Sequence, residues 1–117
     1  MSARVFLCRS EDLREGHYRE LVVGDSRPPR YLLATRFDGQ PRAWLNACPH
    51  QGRPLNFAPD RFLTNDAGQV ICAHHGAVFE PDQGRCISGP CRNACLSRVK
   101  LQQRDEGIYL LAESAPP

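Results

Sequence analysis

Cysteine and histidine side chains occur together in two short segments that each end in glycine. The first is Cys48-Pro49-His50-Gln51-Gly52 and the second is Cys72-Ala73-His74-His75-Gly76. Thiolate sulfur and imidazole nitrogen are ligands for zinc and for iron in iron–sulfur clusters, and two of each complete either kind of site. The spacing therefore predicts a metal centre built from two loops that are distant in sequence.

Two kinds of centre fit such a set of ligands. Zinc sites with two cysteines and two histidines usually take the cysteines as one pair and the histidines as another, often from a helix. Here each segment mixes the two residue types, and no helix is predicted beside either one. A 2Fe–2S cluster, with both thiolates on one iron and both imidazoles on the other, fits better than zinc.

The elements that must position these loops have the pattern of β-strands. Short segments rich in β-branched and aromatic residues alternate with turn residues, and ten prolines disfavour long helices. Only residues 60–65 could form a helix, and it would be short. Hairpins are predicted at residues 37–41 and 104–107, where Asp and Gly supply the turns. We predict an all-β protein with strands at residues 5–8, 18–23, 31–37, 43–46, 69–72, 78–80, 97–102 and 108–112.

Composition limits the classes of function. The chain has 117 residues, is 41% hydrophobic and 24% charged, and carries a formal net charge of only +2. Its basic residues are scattered among acids, which disfavours a nucleic-acid partner. No apolar run is long enough to span a membrane, and the N-terminus does not resemble a signal peptide. We therefore expect a cytoplasmic protein with no membrane partner, whose six cysteines are metal ligands and buried thiols.

The two loops resemble the cluster loops of the Rieske iron–sulfur family. Gly89-Pro90 resembles the family's proline loop, and residues 96–111 resemble its final hairpin, so the likeness covers about residues 4 to 112. This resemblance implies a Rieske-like antiparallel β-sandwich with a small cluster-binding subdomain. It also implies one Rieske-type 2Fe–2S cluster, in a single domain over residues 1–117 whose cluster-binding part is about 46–92.

The resemblance also implies a role for each ligand. Cys48 and Cys72 would bind the inner iron, and His50 and His75 would bind the outer iron. His74 is the alternative to His75. We favour His75 because the family's second loop has the pattern C-x-x-H-G, and glycine follows His75 directly.

Departures from the family pattern point to a low-potential member. The stretch between the loops is long, which predicts an insertion within residues 56–68. Gly52 and His74 stand where respiratory members have cysteines that form a disulfide, and Ala77 and Phe79 stand where high-potential members have serine and tyrosine. Without those hydroxyl donors to sulfur, we expect a reduction potential on the order of −150 mV.

The family resemblance implies electron transfer rather than catalysis. The chain would pass single electrons from a flavin- or iron–sulfur-containing reductase to a terminal oxygenase, docking near His50, His75 and Pro90. One alternative is a small accessory subunit of a nitrite-reductase-like complex, and another is a structural zinc module that binds a protein. A complete oxygenase is disfavoured because only His17 remains outside the two loops for a second iron site.

Four cysteines lie outside the two loops. Cys86, Cys91 and Cys95 are close together, and Cys8 falls in a predicted strand. They could form a second metal site or a redox-active thiol pair, but buried thiols in β structure are the preferred interpretation. Trp44 is predicted to be a core residue rather than an electron relay.

Overall fold

The computed structural model describes residues 4–23, 29–49 and 52–111. Across these residues the regular structure is eleven β-strands and one 3-10 turn at Ser10–Asp12, with no α-helix. No helix long and apolar enough to cross a membrane occurs in these ranges. The strands are β1 (Arg4–Arg9), β2 (Arg19–Val23), β3 (Arg30–Phe37), β4 (Gln40–Leu45), β5 (Leu63–Thr64), β6 (Val70–Ile71), β7 (Val78–Phe79), β8 (Cys86–Ser88), β9 (Arg98–Val99), β10 (Leu101–Arg104) and β11 (Gly107–Leu111).

The strands form three antiparallel sheets. Their orders are β1-β11-β10, β2-β3-β4-β9 and β5-β6-β7-β8. The first two sheets contain the longest strands, whereas every strand of the third has two or three residues. The predicted all-β architecture, a sandwich with a smaller subdomain, is confirmed.

Two separate groups of buried side chains lie within these sheets. We call the first the base core and the second the loop core. The base core consists of Cys8, Leu13, Leu21, Val23, Leu32, Ala34, Ala43, Val99, Ile108 and Leu110. The loop core consists of Tyr18, Leu33, Trp44, Cys48, Leu55, Val70, Cys72, Ala77, Phe79, Cys86 and Leu96.

Strand β3 joins the two cores. Successive side chains of a strand point to opposite faces. Leu32 and Ala34 accordingly pack into the base core, and Leu33 between them packs into the loop core. All three are buried, which explains why this segment is continuously apolar instead of alternating with polar residues.

The two predicted hairpins are present, and one predicted strand is in fact two. Asp38 and Gly39 turn β3 into β4 with φ values of 53° and 77°, and β10 turns into β11 at residues 105–106. The predicted strand 97–102 divides at Lys100. The part before it pairs with β4 and the part after it pairs with β11. Alternating burial continues across the break, so the sequence pattern does not reveal that the chain changes sheets.

The predicted helix at residues 60–65 is wrong, and two strands escaped prediction. Residues 60–65 contain β5, which pairs with β6 through Leu63 and Thr64. Strand β8 also lacks a sequence signal, because it has three residues and precedes Gly89-Pro90. Both short strands form because they pair with a neighbouring strand. The local pattern of side chains does not indicate that pairing.

Candidate metal centre

Two loops that begin at a cysteine are closed by the same pair of backbone hydrogen bonds. We call residues 48–53 the Cys48 loop and residues 72–77 the Cys72 loop. In each, the cysteine N–H donates to the carbonyl of the fifth residue after it, at 2.7 Å in both loops. The glycine of each loop, Gly52 or Gly76, donates back to the cysteine carbonyl, at 2.6 Å and 2.9 Å. Both glycines have positive φ, 73° and 76°, which glycine adopts without steric cost.

The two cysteines lie in the same buried region. Cys48 is 3% exposed and Cys72 is 2% exposed, and both belong to the loop core. A backbone hydrogen bond of 3.0 Å from Ala73 to the carbonyl of Leu55 connects the Cys72 loop to the chain that follows the Cys48 loop. The fold thus brings together two thiols that are far apart in the sequence.

Two of the candidate histidines lie on the protein surface. His74 and His75 are both exposed, whereas His50 lies outside the described residues. In the described ranges, no three Cys, His, Asp or Glu side chains converge on one metal ion. The choice of His75 over His74 stays a prediction.

A third loop, residues 80–85, repeats the same backbone pattern without a cysteine. We call it the Glu80 loop. The Glu80 N–H donates to the carbonyl of Arg85, and the Gly84 N–H donates back to the carbonyl of Glu80, both at 3.0 Å. The Glu80 carboxylate accepts the N–H groups of Asp82, Gln83 and Arg85 at 3.2, 2.7 and 3.0 Å. One anionic side chain therefore satisfies three amides of its own loop.

The role of Glu80 was missed by sequence reasoning, although a signal existed. Residues 48–53 read Cys-Pro-His-Gln-Gly-Arg, and residues 80–85 read Glu-Pro-Asp-Gln-Gly-Arg. Proline, glutamine, glycine and arginine therefore recur at the same positions of both segments. The shared residues specify the turn, and only the first and third side chains differ.

The Glu80 loop provides a test of whether a 2Fe–2S cluster fits the other two loops. In the Glu80 loop the backbone directs three amide N–H groups towards an acceptor on the first side chain. In the Cys48 and Cys72 loops that side chain is a thiol, and N–H groups donating to sulfur are usual around iron–sulfur clusters. The buried thiols and the exposed histidines also match a cluster with one inner and one outer iron. The donor set of the described residues fits the group.

The proline loop packs directly against the Cys72 loop. A Cβ atom added to Gly89 would lie 2.8 Å from the Cα of Ala77, and Gly89 has a φ of 102°. Glycine is therefore required for this close approach. The next residue, Pro90, is exposed. The structure thus places Gly89-Pro90 beside the Cys72 loop.

Cys91, which follows Pro90, lies among other thiols. Its Sγ donates to the Sγ of Cys86 at 3.3 Å, and the Cys86 thiol donates to the carbonyl of Ser88 at 3.2 Å. Burial, followed by the contacts with Cys86 and Cys48, raises the pKa of Cys91 to about 12. Cys91 is therefore a protonated thiol at neutral pH. Cys95 is exposed, so these cysteines do not form one group.

Asn46 fixes the chain on both sides of the Cys48 loop. Its Oδ1 accepts the N–H of Leu55 at 2.9 Å, and its Nδ2 donates to Asn56 at 2.8 Å and to Glu20 at 3.1 Å. Asn46 is one of the buried polar residues of the described chain. Sequence reasoning missed it, although a polar amide two residues before a candidate metal ligand is a usable signal.

The predicted insertion at residues 56–68 packs against β2 and its neighbours. Asp60 has a φ of 59° and accepts the N–H of Glu20 at 2.8 Å. The Tyr18 hydroxyl donates to the carbonyl of Gly68 at 2.8 Å. Burial, with a smaller effect of the Glu80 charge, raises the pKa of Tyr18, so this hydroxyl remains a donor. The segment is thus anchored at both ends.

Trp44 is a core residue, as the sequence suggested. It is 1% exposed, and a Cβ atom added to Gly84 would lie 2.5 Å from its Nε1. Gly84 therefore allows the indole ring to pack against the Glu80 loop. The Nε1–H has no hydrogen-bond acceptor among the described residues.

An all-β fold with two like cysteine loops and a proline loop packed against them defines a class of iron–sulfur protein. The model of the Rieske [2Fe-2S] domain matches residues 3–104. The chain therefore belongs to the Rieske [2Fe-2S] domain family, as its loops suggested. This family binds a 2Fe–2S cluster, so the cofactor is this cluster rather than zinc.

Individual relatives fall into two groups. The oxygenase component of chloroacetanilide N-alkylformylase from Rhizorhabdus wittichii is 47% identical over 54 residues, which are 45% of this chain and 14% of that protein. The ferredoxin of Sphingomonas yanoikuyae B1 has a TM-score of 0.73 and 17% identity, over 97% of this chain and all of that one. A chain from the complex of reduced oxygenase and oxidized ferredoxin in carbazole 1,9a-dioxygenase has a TM-score of 0.71 and 20% identity, over 97% of both chains.

The two groups of relatives differ in the share of their length that this chain spans. The chain spans about one seventh of the curated oxygenase component and less than a third of the terminal oxygenases with which it shares its fold. It spans the Sphingomonas ferredoxin completely.

Proposed function

We propose that Cys48, His50, Cys72 and His75 bind the 2Fe–2S cluster. The observation that carries this proposal is the shared hydrogen bonding of the Cys48 and Cys72 loops, with both thiols buried in one core. We also propose that the cluster-binding part extends over about residues 46–92 of a single Rieske domain that occupies the chain.

We propose that the protein is a Rieske-type carrier of single electrons. When bound, the cluster supplies a one-electron redox couple. The protein buries the thiol side of the site in the loop core and leaves the histidine side exposed. An electron therefore has its shortest route to a partner through the exposed side, near His75 and Pro90. The match to a complete ferredoxin supports this role.

The proposed carrier has a low reduction potential. Ala77 and Phe79 are fully buried beside the Cys72 loop, and neither side chain can donate a hydrogen bond to sulfur. Such donors stabilise the extra negative charge of a reduced cluster and thereby raise its potential. We propose a potential on the order of −150 mV, and a redox titration that gives a value well above zero would contradict it.

The proposed partners are a flavin- or iron–sulfur-containing reductase and a terminal oxygenase. The fold match to a chain from an oxygenase–ferredoxin complex supports the second partner. Docking is proposed around His50, His75 and Pro90, in a small transient interface. A cytoplasmic location is part of the same proposal.

Catalytic turnover with purified partners tests the carrier role. The holoprotein, at a concentration far below that of the oxygenase, is mixed with an NADH-dependent reductase, a terminal oxygenase and its substrate. A carrier supports many product molecules per molecule of this protein because it shuttles repeatedly. Pro90→Glu is expected to slow electron transfer to the oxygenase roughly tenfold, because it places a charge in the proposed docking surface.

Val22→Glu is the matched control for Pro90→Glu. Val22 is exposed on β2, so the same charge is introduced outside the proposed docking surface. Both variants should retain the cluster absorption of the parent protein. Equal rates for the two variants would contradict the proposed docking surface, and failure to support more than one turnover would contradict the carrier role.

The Rieske part of an oxygenase is the second candidate, and the 47% identity to an oxygenase component favours it. Such a domain would act within one polypeptide that also holds the catalytic iron. The turnover experiment separates the two candidates, because an oxygenase part would not exchange electrons rapidly with a separate oxygenase. Rapid exchange would therefore favour the carrier.

A further inference from the structure

The geometry of the cysteines outside the two metal-binding loops points to a site of reversible oxidation. We propose that Cys86 and Cys91 form an intramolecular disulfide when the protein meets a low-molecular-weight disulfide such as oxidised glutathione. This proposal goes beyond the electron-transfer role. It rests on the proposed function only in assuming that the Cys48 sulfur is bound to iron and does not take part in the reaction.

The two sulfur atoms are already close. Their separation is 3.3 Å, and a disulfide bond requires about 2.05 Å, so the side chains need to approach by roughly 1 Å. No charged group has to be moved, and only weak hydrogen bonds are lost. The Cys86 thiol gives up its bond to the carbonyl of Ser88, which belongs to an exposed residue and can be hydrated instead.

Backbone hydrogen bonds hold both cysteines in position. The Cys86 N–H donates to the carbonyl of Ala94 at 2.7 Å, and the Asn93 N–H donates to the carbonyl of Cys86 at 2.9 Å. The Ala94 N–H donates to the carbonyl of Cys91, also at 2.9 Å. Both cysteines are therefore bonded to the backbone of Ala94, which holds them on the same turn.

The difference in exposure assigns the two steps of the reaction. Cys91 is partly exposed and Cys86 is fully buried. Cys91, as its thiolate, attacks one sulfur of oxidised glutathione, which breaks that S–S bond and releases one glutathione thiolate. Cys86 then attacks the Cys91 sulfur, forms the new S–S bond and releases the second glutathione. Two protons pass from the protein thiols to the two glutathiones.

The sequence makes this disulfide simple to detect. Trypsin cleaves after Arg85 and after Arg92, so Cys86 and Cys91 fall on one peptide, residues 86–92. Cys95 falls on the following peptide and serves as an exposed single thiol in the same sample. Holoprotein is incubated for hours with oxidised glutathione, and is then denatured with an alkylating reagent and mapped by mass spectrometry.

The proposal makes a specific prediction for this experiment. Peptide 86–92 is expected to be lighter than the reduced, unalkylated peptide by about two hydrogen masses. Its alkylation should fall roughly tenfold or more, and a dithiol reductant should reverse both changes. Cys86→Ala should stop the reaction at a mixed disulfide between Cys91 and glutathione. Cys95→Ser should leave the disulfide in peptide 86–92 unchanged.

Two results would overturn the proposal. The first is complete alkylation of both cysteines of peptide 86–92 in a sample where Cys95 has taken up glutathione. The second is a disulfide between Cys91 and Cys48, accompanied by loss of the cluster absorption. Retention of that absorption reports separately on the cluster, so a failure here is distinguishable from a failure of the proposed function.

Discussion

The base core and the loop core are held together by different means. The base core draws most of its members from strands of four to eight residues and consists mostly of aliphatic side chains. The loop core draws most of its members from loops and from strands of two or three residues, and three of its members are cysteines. Burial of apolar surface is enough to order the first. The second needs directional bonds within its loops, and it is the part that contains the proposed cluster site.

Cysteine illustrates this difference directly. Cys8 is buried in the base core, where it packs as a small apolar side chain. The loop core also contains buried cysteines, namely Cys48, Cys72 and Cys86. The first two begin the Cys48 and Cys72 loops, and the third lies beside the thiol of Cys91. The same residue type therefore fills space in the base core and occupies the proposed sites of chemistry in the loop core. Each of the following experiments changes one side of that comparison.

Removal of a proposed ligand should have the largest effect. Cys72→Ser is expected to abolish the visible absorption of the cluster, because an alcohol is a poor replacement for a thiolate on iron. Amide hydrogen exchange should then accelerate at least tenfold in β6 and β7, where the Cys72 loop begins and ends, while β3 stays protected. Cys95→Ser, at an exposed cysteine, should change neither measurement. Loss of protection in β3 as large as in β6 would show that the two cores unfold together.

Removal of the Glu80 carboxylate should have an intermediate effect. Glu80→Ala leaves three backbone N–H groups without their acceptor, and we expect a loss of about 1–3 kcal/mol in the free energy of unfolding. Urea denaturation measures this loss. Glu106→Ala is the matched control, since Glu106 is exposed and lies 3.9 Å from Arg9. Equal stability of the two variants would mean that water replaces the carboxylate without cost.

The smallest expected effect is a change in stability with pH in the base core. Burial, with a smaller contribution from Asp12, raises the pKa of Cys8 from 9.0 to about 11. Between these values the folded state retains a proton that the unfolded state loses, so stability should fall as pH rises from 9 to 11. In the Cys8→Ala variant the free energy of unfolding should fall less steeply between pH 9 and 11, whatever the stability of the variant at pH 8. An unchanged slope would indicate that Cys8 is solvated in the folded state.

Sequence reasoning succeeded where a local pattern carries the information. The apolar segment that ends in an Asp-Gly turn located β3 and β4, and the repeated Cys/His spacing located two loops with the same closing hydrogen bonds. Strands β5 and β8 were missed because each consists of two or three residues that are ordered by a partner strand. The division at Lys100 was missed because burial continues to alternate while the chain changes sheets. Asn46 and Glu80 were missed because their importance arises from hydrogen bonds to backbone groups.

The Glu80 loop has a consequence for how this fold can change over evolutionary time. It is closed by the same pair of backbone hydrogen bonds as the Cys48 and Cys72 loops, although its first side chain is a carboxylate. The shape of the turn is thus independent of the ligand that it carries. A single substitution at the first position can alter the chemistry of such a loop without altering its course. Metal-binding capacity can therefore be lost or acquired at these positions more readily than the surrounding architecture can be rebuilt.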